Sequence, residues 1–163
     1  MTKKLILLFL LSAACRTVPA IQPGQPAPAC PAELPNQQAA FSPDQYRGKV
    51  LLVDFWATWC SPCLQAIPFY NQLNQEKQKD GLEIVAINLN EEKSEALAFL
   101  QTHTLNYPVA FNPDGECPKR YEVQVMPSSF LIDKSGVVRF VQPGYHDADR
   151  QGIRERINTL LAE

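Results

Sequence analysis

The stretch KVLLVDFWATWCSPC, residues 49–63, decides the fold of this chain. Its first part, residues 49–57, is a nearly continuous run of Val, Leu and aromatic residues, which is typical of a strand buried on both faces of a sheet. Cys60 and Cys63 follow, and apolar residues then recur at a helical spacing. The pattern therefore predicts a strand, a turn that carries both cysteines, and a helix.

Two cysteines at the start of a helix have a direct chemical meaning. The unpaired amides and the positive dipole end of the helix stabilise a thiolate, so the pKa of the first cysteine falls from about 8.5 toward roughly 3.5 to 7.5. We expect Cys60 to be the nucleophile that attacks a substrate disulfide, and Cys63 to be the resolving thiol that attacks the resulting mixed disulfide. Pro62 lies in the first helical turn, where its missing N–H costs no hydrogen bond, and it helps to fix the geometry of the pair.

Asp54 is the one acidic residue within residues 49–57 and lies six residues before Cys60. Burial raises the pKa of a carboxyl group toward the range in which it exchanges protons near neutral pH. We therefore predict that Asp54 accepts the proton of Cys63. The alternative is a carboxylate that is satisfied by neighbouring backbone groups and takes no part in the chemistry.

A Cys-x-x-Cys pair has other uses, which stay open as alternatives. A structural zinc site needs four ligands, and no second cysteine pair or histidine cluster is spaced to complete one, because His103 and His146 stand alone. A static structural disulfide is a further alternative, although a position between a strand and a helix favours exchange chemistry.

The rest of the chain alternates predicted strands and helices. A second buried strand is predicted over residues 82–90, a helix over 92–103, an antiparallel hairpin over 128–144 and an amphipathic helix over 147–163. This order predicts an α/β fold with a mixed sheet. In the first of the two helices, four apolar residues are expected to face inward: Ala96, Leu97, Phe99 and Leu100.

The first 20 residues have the pattern of a secretory signal, with Lys3 and Lys4, an apolar run over residues 5–11 and then small residues. The run is too short to cross a bilayer, which takes about 20 apolar residues. Two cleavage sites fit the pattern. Cleavage before Cys15 would leave a lipidated cysteine at the mature N-terminus, whereas cleavage after Ala20 would leave a soluble protein.

Length and charge limit the domain organisation and the kinds of partner that the chain can have. At 163 residues the chain has the length of one domain, and we divide it into a signal peptide at 1–20, a proline-rich segment at 21–36 and a folded domain at 37–163. Loss of the signal removes three of the 15 basic residues and leaves 12 against 17 acidic ones, so no nucleic-acid partner is expected. Export points to an oxidising compartment in which disulfides persist.

Four stretches of the sequence, together with one proline, match a known family: YRGKVLLVDFWATWCSPC (46–63), FNPDG (111–115), YEVQVMPSSFLID (121–133), SGVV (135–138) and Pro68. On these residues the chain resembles the thioredoxin superfamily, and within it the exported TlpA-like and ResA-like thiol-disulfide oxidoreductases. The resemblance runs from about Gly24 to the C-terminus. It implies a thioredoxin-like fold, an α/β fold whose central mixed β-sheet is flanked by helices, with an N-terminal extension and a central insertion.

The resemblance also implies roles for residues around the cysteine pair. Pro127 corresponds to a cis-proline that faces the pair, and Met126 before it would offer backbone hydrogen bonds to a bound substrate chain. Trp59 and Pro62 would belong to the substrate-binding surface. Trp56 and Trp59 would form an apolar collar around the disulfide, with a partly structural role for Trp56.

Two departures from the family pattern affect these expectations. Many reductases of this subgroup have a Glu three residues after the second cysteine, where this chain has Ala66, so Asp54 is expected to carry the acid–base work alone. Cys30 and Cys117 are additional to the pattern. They are either two buried thiols or a second disulfide that ties the N-terminal segment to a short helix, and an oxidising compartment favours the disulfide.

The resemblance implies an exported thiol-disulfide oxidoreductase, either in the bacterial periplasm or tethered to the membrane and facing the periplasm. We expect it to reduce disulfides in client proteins with cysteine pairs, for example apocytochromes or copper-site assembly factors. It would use a membrane electron donor and no small-molecule cofactor, and we expect a monomer. Lipidation of Cys15 would add a lipid anchor.

The same cysteines would also suit other functions. A dithiol oxidant would use the same cysteines in the opposite direction, and a Cu(I)-binding assembly factor would use them as soft thiolate ligands. A binding module with an inert disulfide would leave Asp54 without a purpose. A peroxiredoxin-like peroxidase is excluded, because Val53 and Ala57 stand where its motif needs Pro and Thr.

Overall fold

The computed structural model describes residues 21–35, 40–112 and 114–163. The predicted signal peptide, both cleavage sites and Cys15 lie outside the described residues, as does the predicted boundary between residues 36 and 37. Within the described residues, no helix is both long and apolar enough to cross a membrane.

The described chain contains five strands: β1 (Val50–Trp56), β2 (Leu82–Asn88), β3 (Val109–Phe111), β4 (Ser128–Ile132) and β5 (Val138–Pro143). They form one mixed sheet in the order β3-β2-β1-β4-β5. β1 pairs in parallel with β2 and antiparallel with β4, and β3 and β5 form the two edges. All seven residues of β1 are buried, as expected for the central strand of a sheet that is covered on both faces.

The same part of the chain contains four α-helices: α1 (Ser61–Lys77), α2 (Lys93–Thr102), α3 (Glu116–Arg120) and α4 (Arg150–Ala162). Short 3-10 helices lie at Pro43–Tyr46, Gln78–Asp80 and Asp147–Asp149. Apolar residues of α1, α2 and α4 form a core cluster on one face of the sheet. A second cluster, on the other face, contains residues of α3 and of the segment before β1. The predicted mixed sheet flanked by helices is therefore confirmed.

The segment before β1 crosses the sheet from one edge strand to the other. Near β5, the N–H of Gly24 donates to the carbonyl of Val138 over 2.7 Å. Near β3, Glu33 and Phe111 exchange two backbone hydrogen bonds of 2.8 and 2.9 Å. The N-terminal extension thus forms part of the cover of one face of the sheet.

The prediction that Leu97 faces inward is wrong. Of the four apolar residues expected on the inner face of α2, Ala96 is fully buried, whereas Leu97 is 47% exposed. Phe99 and Leu100 are half-buried and pack against the core. α2 contacts the sheet along a narrower stripe than its apolar residues suggest, so the residue directly after Ala96 points away from the core.

Candidate active site

The cysteine pair lies at the junction of β1 and α1. Cys60 caps the N-terminus of α1, and Cys63 lies in its first turn. The two are joined in a disulfide and are buried, with 5% and 1% of their surfaces exposed. The backbone N–H of Cys63 donates to Sγ of Cys60 over 3.3 Å. In the reduced protein, this amide and the positive end of the α1 dipole stabilise negative charge on the sulfur of Cys60.

Apolar side chains remain exposed on two segments, the one before Cys60 and the one before Pro127. Trp59 is 66% exposed, and Val125, which the sequence reasoning missed, is 46% exposed. Pro62 is half-buried. An exposed Trp such as Trp59 is typical of surfaces that bind another protein chain.

The peptide bond between Met126 and Pro127 is cis, the geometry that the resemblance implies. Pro127 is buried, and its carbonyl accepts a hydrogen bond from the N–H of Gly144 over 2.8 Å. Met126 is half-buried and packs against the core cluster that contains both cysteines of the pair. No hydrogen bond joins the backbone N–H or C=O of Met126 to another described residue, so both groups can pair with a bound chain.

Asp54 is buried, with 4% of its surface exposed. Because side chains alternate along a strand, it shares a face with Leu52 and Trp56, which belong to the cluster that α1 covers. Its Oδ1 accepts a hydrogen bond of 2.7 Å from the hydroxyl of Ser129. Burial raises the pKa of Asp54 to about 7, and the hydrogen bond from Ser129 acts in the opposite direction. A carboxyl group with this pKa exchanges protons near neutral pH.

Sequence reasoning missed Ser129 and Tyr70. Oη of Tyr70 lies 2.7 Å from Oγ of Ser129, so the hydrogen bonding that starts at Asp54 continues into α1. In the sequence, Tyr70 is one apolar position of a helical pattern, and Ser129 is a small residue shortly after Pro127. A serine inside the predicted strand was the available signal, but its partner depends on the register between β1 and β4.

A further polar cluster holds the loop that precedes the cysteines. Oδ1 of Asn90 accepts hydrogen bonds from the backbone N–H of Thr58 at 3.0 Å and from Nδ2 of Asn88 at 2.9 Å. Nδ2 of Asn90 donates to Oγ1 of Thr58 over 2.7 Å. Thr58 is thereby tied to the end of β2, which orients Trp59 and Cys60. Sequence reasoning missed this cluster as well, and its only signal is the pair of asparagines at the end of a buried strand, Asn88 as its last residue and Asn90 just after it.

Cys30 and Cys117 are joined in a second disulfide. They are buried, with 2% and 0% of their surfaces exposed, and belong to the core cluster on the face of the sheet opposite the cysteine pair. Of the two arrangements left open by the sequence, the structure has the bonded one. It ties the N-terminal extension to α3, where Arg120 also donates to the carbonyl of Ala29 over 2.8 Å.

Within residues 21–35, 40–112 and 114–163, no group of three or more His, Cys, Asp and Glu side chains is arranged to hold a metal ion. His103 is exposed and stacks on Phe99, with 3.9 Å between the ring centroids. His146 is exposed and precedes the turn Asp147–Asp149.

The sheet order, the cysteine pair at the start of α1 and the cis-proline before β4 together define a thioredoxin-superfamily protein. The sequence model of the Redoxin family matches residues 22–157, and the chain belongs to this family.

Relatives of known sequence include the thiol-disulfide oxidoreductase ResA of Geobacillus thermodenitrificans, which is 33% identical over 115 residues. The match covers 71% of this chain and 65% of that protein. ResA of Bacillus subtilis is 34% identical over 98 residues, which are 60% of this chain and 55% of that protein. The chain therefore spans less than two thirds of the length of these curated relatives.

Among solved structures, a protein from Chlorobium tepidum that is described as a candidate thiol:disulfide interchange protein DsbE is similar to this chain. It has a TM-score of 0.81 and 35% sequence identity, and the match covers 87% of this chain and 99% of that one. The resemblance to ResA-like members of the thioredoxin superfamily, which the sequence alone suggested, is confirmed.

Proposed function

We propose that this protein is a thiol-disulfide oxidoreductase that reduces disulfides in client proteins through the Cys60–Cys63 pair. One observation carries the proposal: a disulfide at the N-terminus of α1 has a backbone amide aimed at the sulfur of its first cysteine. That environment suits a nucleophilic thiolate. The names of the relatives support the same reaction type.

In the proposed cycle, the thiolate of Cys60 attacks one sulfur of a client disulfide, and the other client sulfur leaves as a thiolate. Cys63 then transfers its proton to Asp54 and attacks Sγ of Cys60. The client leaves with both of its sulfurs reduced, while Cys60 and Cys63 become the disulfide. Two electrons pass from the protein to the client, and Asp54 holds the proton of the resolving step.

The substrate surface consists of the exposed side chain of Trp59, the half-buried Pro62 and the backbone groups of Met126 beside Pro127. The backbone of a client strand would pair with Met126, and apolar client residues would contact Trp59. No small-molecule cofactor is needed, because the disulfide itself carries the electrons. A membrane electron donor would return the pair to the dithiol form, and the protein would act as a monomer.

We further propose that the protein is exported and acts in an oxidising compartment, the bacterial periplasm or the membrane surface that faces it. The signal-like pattern of the first 20 residues supports export. The buried disulfide between Cys30 and Cys117 suits an oxidising environment. Lipidation of Cys15 would tether the protein to the membrane.

Trapping of the mixed disulfide tests the proposed reaction. Cys63→Ser removes the resolving thiol, so a client peptide with one disulfide should stay covalently attached to Cys60, and mass spectrometry should detect the adduct. Cys60→Ser is the matched control and should form no adduct. Equal adduct formation by both variants, or by neither, would contradict the assigned roles.

A further inference from the structure

A row of polar side chains crosses the apolar face of the sheet beneath α1. Asp54 on β1 is paired with Ser129 on β4, and Ser129 is paired with Gln142 on β5. Directly paired residues lie on the same face of a sheet, so the row leads from the centre of the sheet to its edge strand. Asp54 and Ser129 are each 4% exposed, whereas Gln142 is only half-buried.

The inner part of this row is hydrogen-bonded without a gap. The hydroxyl of Ser129 donates to Oδ1 of Asp54, and Oη of Tyr70 lies 2.7 Å from Oγ of Ser129. A serine hydroxyl has one hydrogen, so Tyr70 must donate to Ser129 when Asp54 is ionised. When Asp54 is protonated, the same three groups can bond in the reverse direction. The hydrogen bonds among Asp54, Ser129 and Tyr70 therefore run in one direction when the carboxyl group is ionised and in the opposite direction when it is protonated.

A small cavity of about 10 Å³ adjoins this chain of hydrogen bonds. That is roughly the volume one water molecule requires. Its lining combines three polar residues with four apolar ones: Tyr70, Ser129, Gln142, Leu52, Leu131, Phe140 and Ile153. Beyond the cavity, Nε2 of Gln142 lies 3.4 Å from a carboxylate oxygen of Asp149, which is near the surface. Polar side chains thus lie on both sides of the cavity, but no side-chain hydrogen bond among the described residues joins Ser129 or Tyr70 to Gln142.

No cation of the described chain forms an ion pair with Asp54. Its partner on β2 is Ala86. The titratable groups of the described chain that lie near it are Tyr70 of α1 and Tyr107 of the segment before β3, with Tyr145 beside Tyr70. The cysteine pair belongs to the core cluster on the same face of the sheet. Burial holds the pKa of Tyr70 well above its ordinary value, so its hydroxyl group stays neutral.

We propose that Ser129 and Tyr70 are positioning residues that link Asp54 to a water site beneath Gln142, and that the proton of the resolving step leaves the protein along this route. This inference rests on the proposed function. Cys63 gives its proton to Asp54, and Asp54 passes it to Oγ of Ser129. Ser129 passes its own hydrogen to Oη of Tyr70, and Tyr70 passes its own hydrogen to a water molecule in the cavity, so both hydroxyl groups end neutral. One proton reaches solvent and Asp54 returns to the carboxylate, with no other reactant required.

The test measures the ionisation of Asp54 directly, from the NMR shift of its carboxyl carbon against pH in the reduced protein. Tyr70→Phe removes one oxygen atom and keeps the ring that packs against Phe69. Without its donor, Ser129 stabilises the carboxylate less, so the midpoint of Asp54 should rise by at least about half a pH unit. Tyr107→Phe is the matched control, because this buried tyrosine lies near Asp54 but is not hydrogen-bonded to Ser129, and it should leave the midpoint of Asp54 in place.

The pH profile of the resolving step should follow the same midpoint, so Tyr70→Phe should release client about two-fold more slowly at pH 7 for a rise of half a pH unit. Ser129→Ala should also raise the titration midpoint of Asp54. Ser129→Thr keeps the hydroxyl group, so its midpoint should equal that of the unchanged protein. An unchanged midpoint in Tyr70→Phe, or a shift equal to that of Tyr107→Phe, would overturn the inference. The titration needs no client, so it stays decisive even if the trapping experiment fails and the proposed function falls.

Discussion

At the scale of single residues, Asp54 is the one acidic side chain among the buried residues of the described chain. Its carboxyl group lies on the apolar face of a central strand. Its side-chain hydrogen-bond partner among the described residues is the hydroxyl of Ser129. Burial of this kind raises the pKa of a carboxyl group because the charged form loses its hydration. The proposed resolving step gives this unfavourable placement a purpose, since the group must take up and release a proton near neutral pH.

The raised pKa predicts how stability depends on pH. The pKa of Asp54 is about 7 in the folded protein and about 3.9 in an unfolded chain. The folded state therefore binds this proton more tightly, and ionisation of Asp54 destabilises the protein progressively from about pH 4 to pH 7. Asp54→Asn should leave the free energy of unfolding nearly unchanged at pH 4 and raise it at pH 8, by an amount on the order of 4 kcal/mol at most.

Urea unfolding of the oxidised protein at the two pH values measures this effect. Asp114→Asn, which changes an exposed acid, is the control and should behave alike at pH 4 and pH 8. If Asp54→Asn had the same effect at both pH values, Asp54 would not have a raised pKa in the folded protein.

The sequence predicted Asp54 but not its partners, and the reason is physical. A lone acid within an apolar run is visible in the local sequence. Its hydrogen-bond partner Ser129 is 75 residues away in sequence, and Tyr70 is 59 residues away from Ser129. Ser129 reaches Asp54 because β1 and β4 pair in one register, and a shift by one residue would put Ser129 on the other face. This register is set by the pairing of the strands in the sheet, and the local sequence around Ser129 does not give it.

At the scale of secondary structure, the N-terminus of α1 is the element that activates the cysteine pair. Its dipole and the backbone N–H of Cys63 both act on the sulfur of Cys60. The thiol of Cys60 in the reduced protein should therefore have a pKa between roughly 3.5 and 7.5, below the ordinary value of about 8.5. The rate of alkylation by iodoacetamide against pH gives this midpoint, and Cys60→Ser should lose the low-pH phase. A single midpoint near 8.5 would show that α1 does not stabilise the thiolate.

The spacing of apolar residues predicted β1 correctly but was wrong for one residue of α2. The apolar run of β1 identified a strand with both faces buried, and all of it is buried in the structure. In α2 the same reasoning placed Leu97 inward, although it is exposed. An apolar residue on a helix indicates the inner face only where the helix is packed over a wide stripe, and α2 contributes a single fully buried residue, Ala96.

At the scale of the whole molecule, the second disulfide fastens the N-terminal extension to the domain. Cys30 and Cys117 are 87 residues apart in sequence, so their bond closes a long loop in the unfolded chain. Loop-closure entropy predicts that loss of the bond lowers the free energy of unfolding by up to about 4 to 5 kcal/mol. The double variant Cys30→Ala with Cys117→Ala should show this loss in denaturant unfolding.

Client reduction by that double variant should stay close to that of the unchanged protein at temperatures where it remains folded, because the two disulfides belong to clusters on opposite faces of the sheet. A loss of activity with unchanged stability would show instead that the second pair takes part in the redox cycle. The sequence left the bonding of these cysteines open, since their approach depends on how the N-terminal extension crosses the sheet.

The central claim is that Cys60 and Cys63 form a reductant of client disulfides, and the equilibrium reduction potential of this couple tests it most directly. The measurement uses glutathione or dithiothreitol buffers, with Cys60→Ser as a control that should show no transition. A reductant of client disulfides should have a potential near or below the approximately −270 mV of thioredoxin. A potential near the approximately −120 mV of DsbA would contradict the central claim, because the fold would then favour the dithiol and the protein would oxidise its clients.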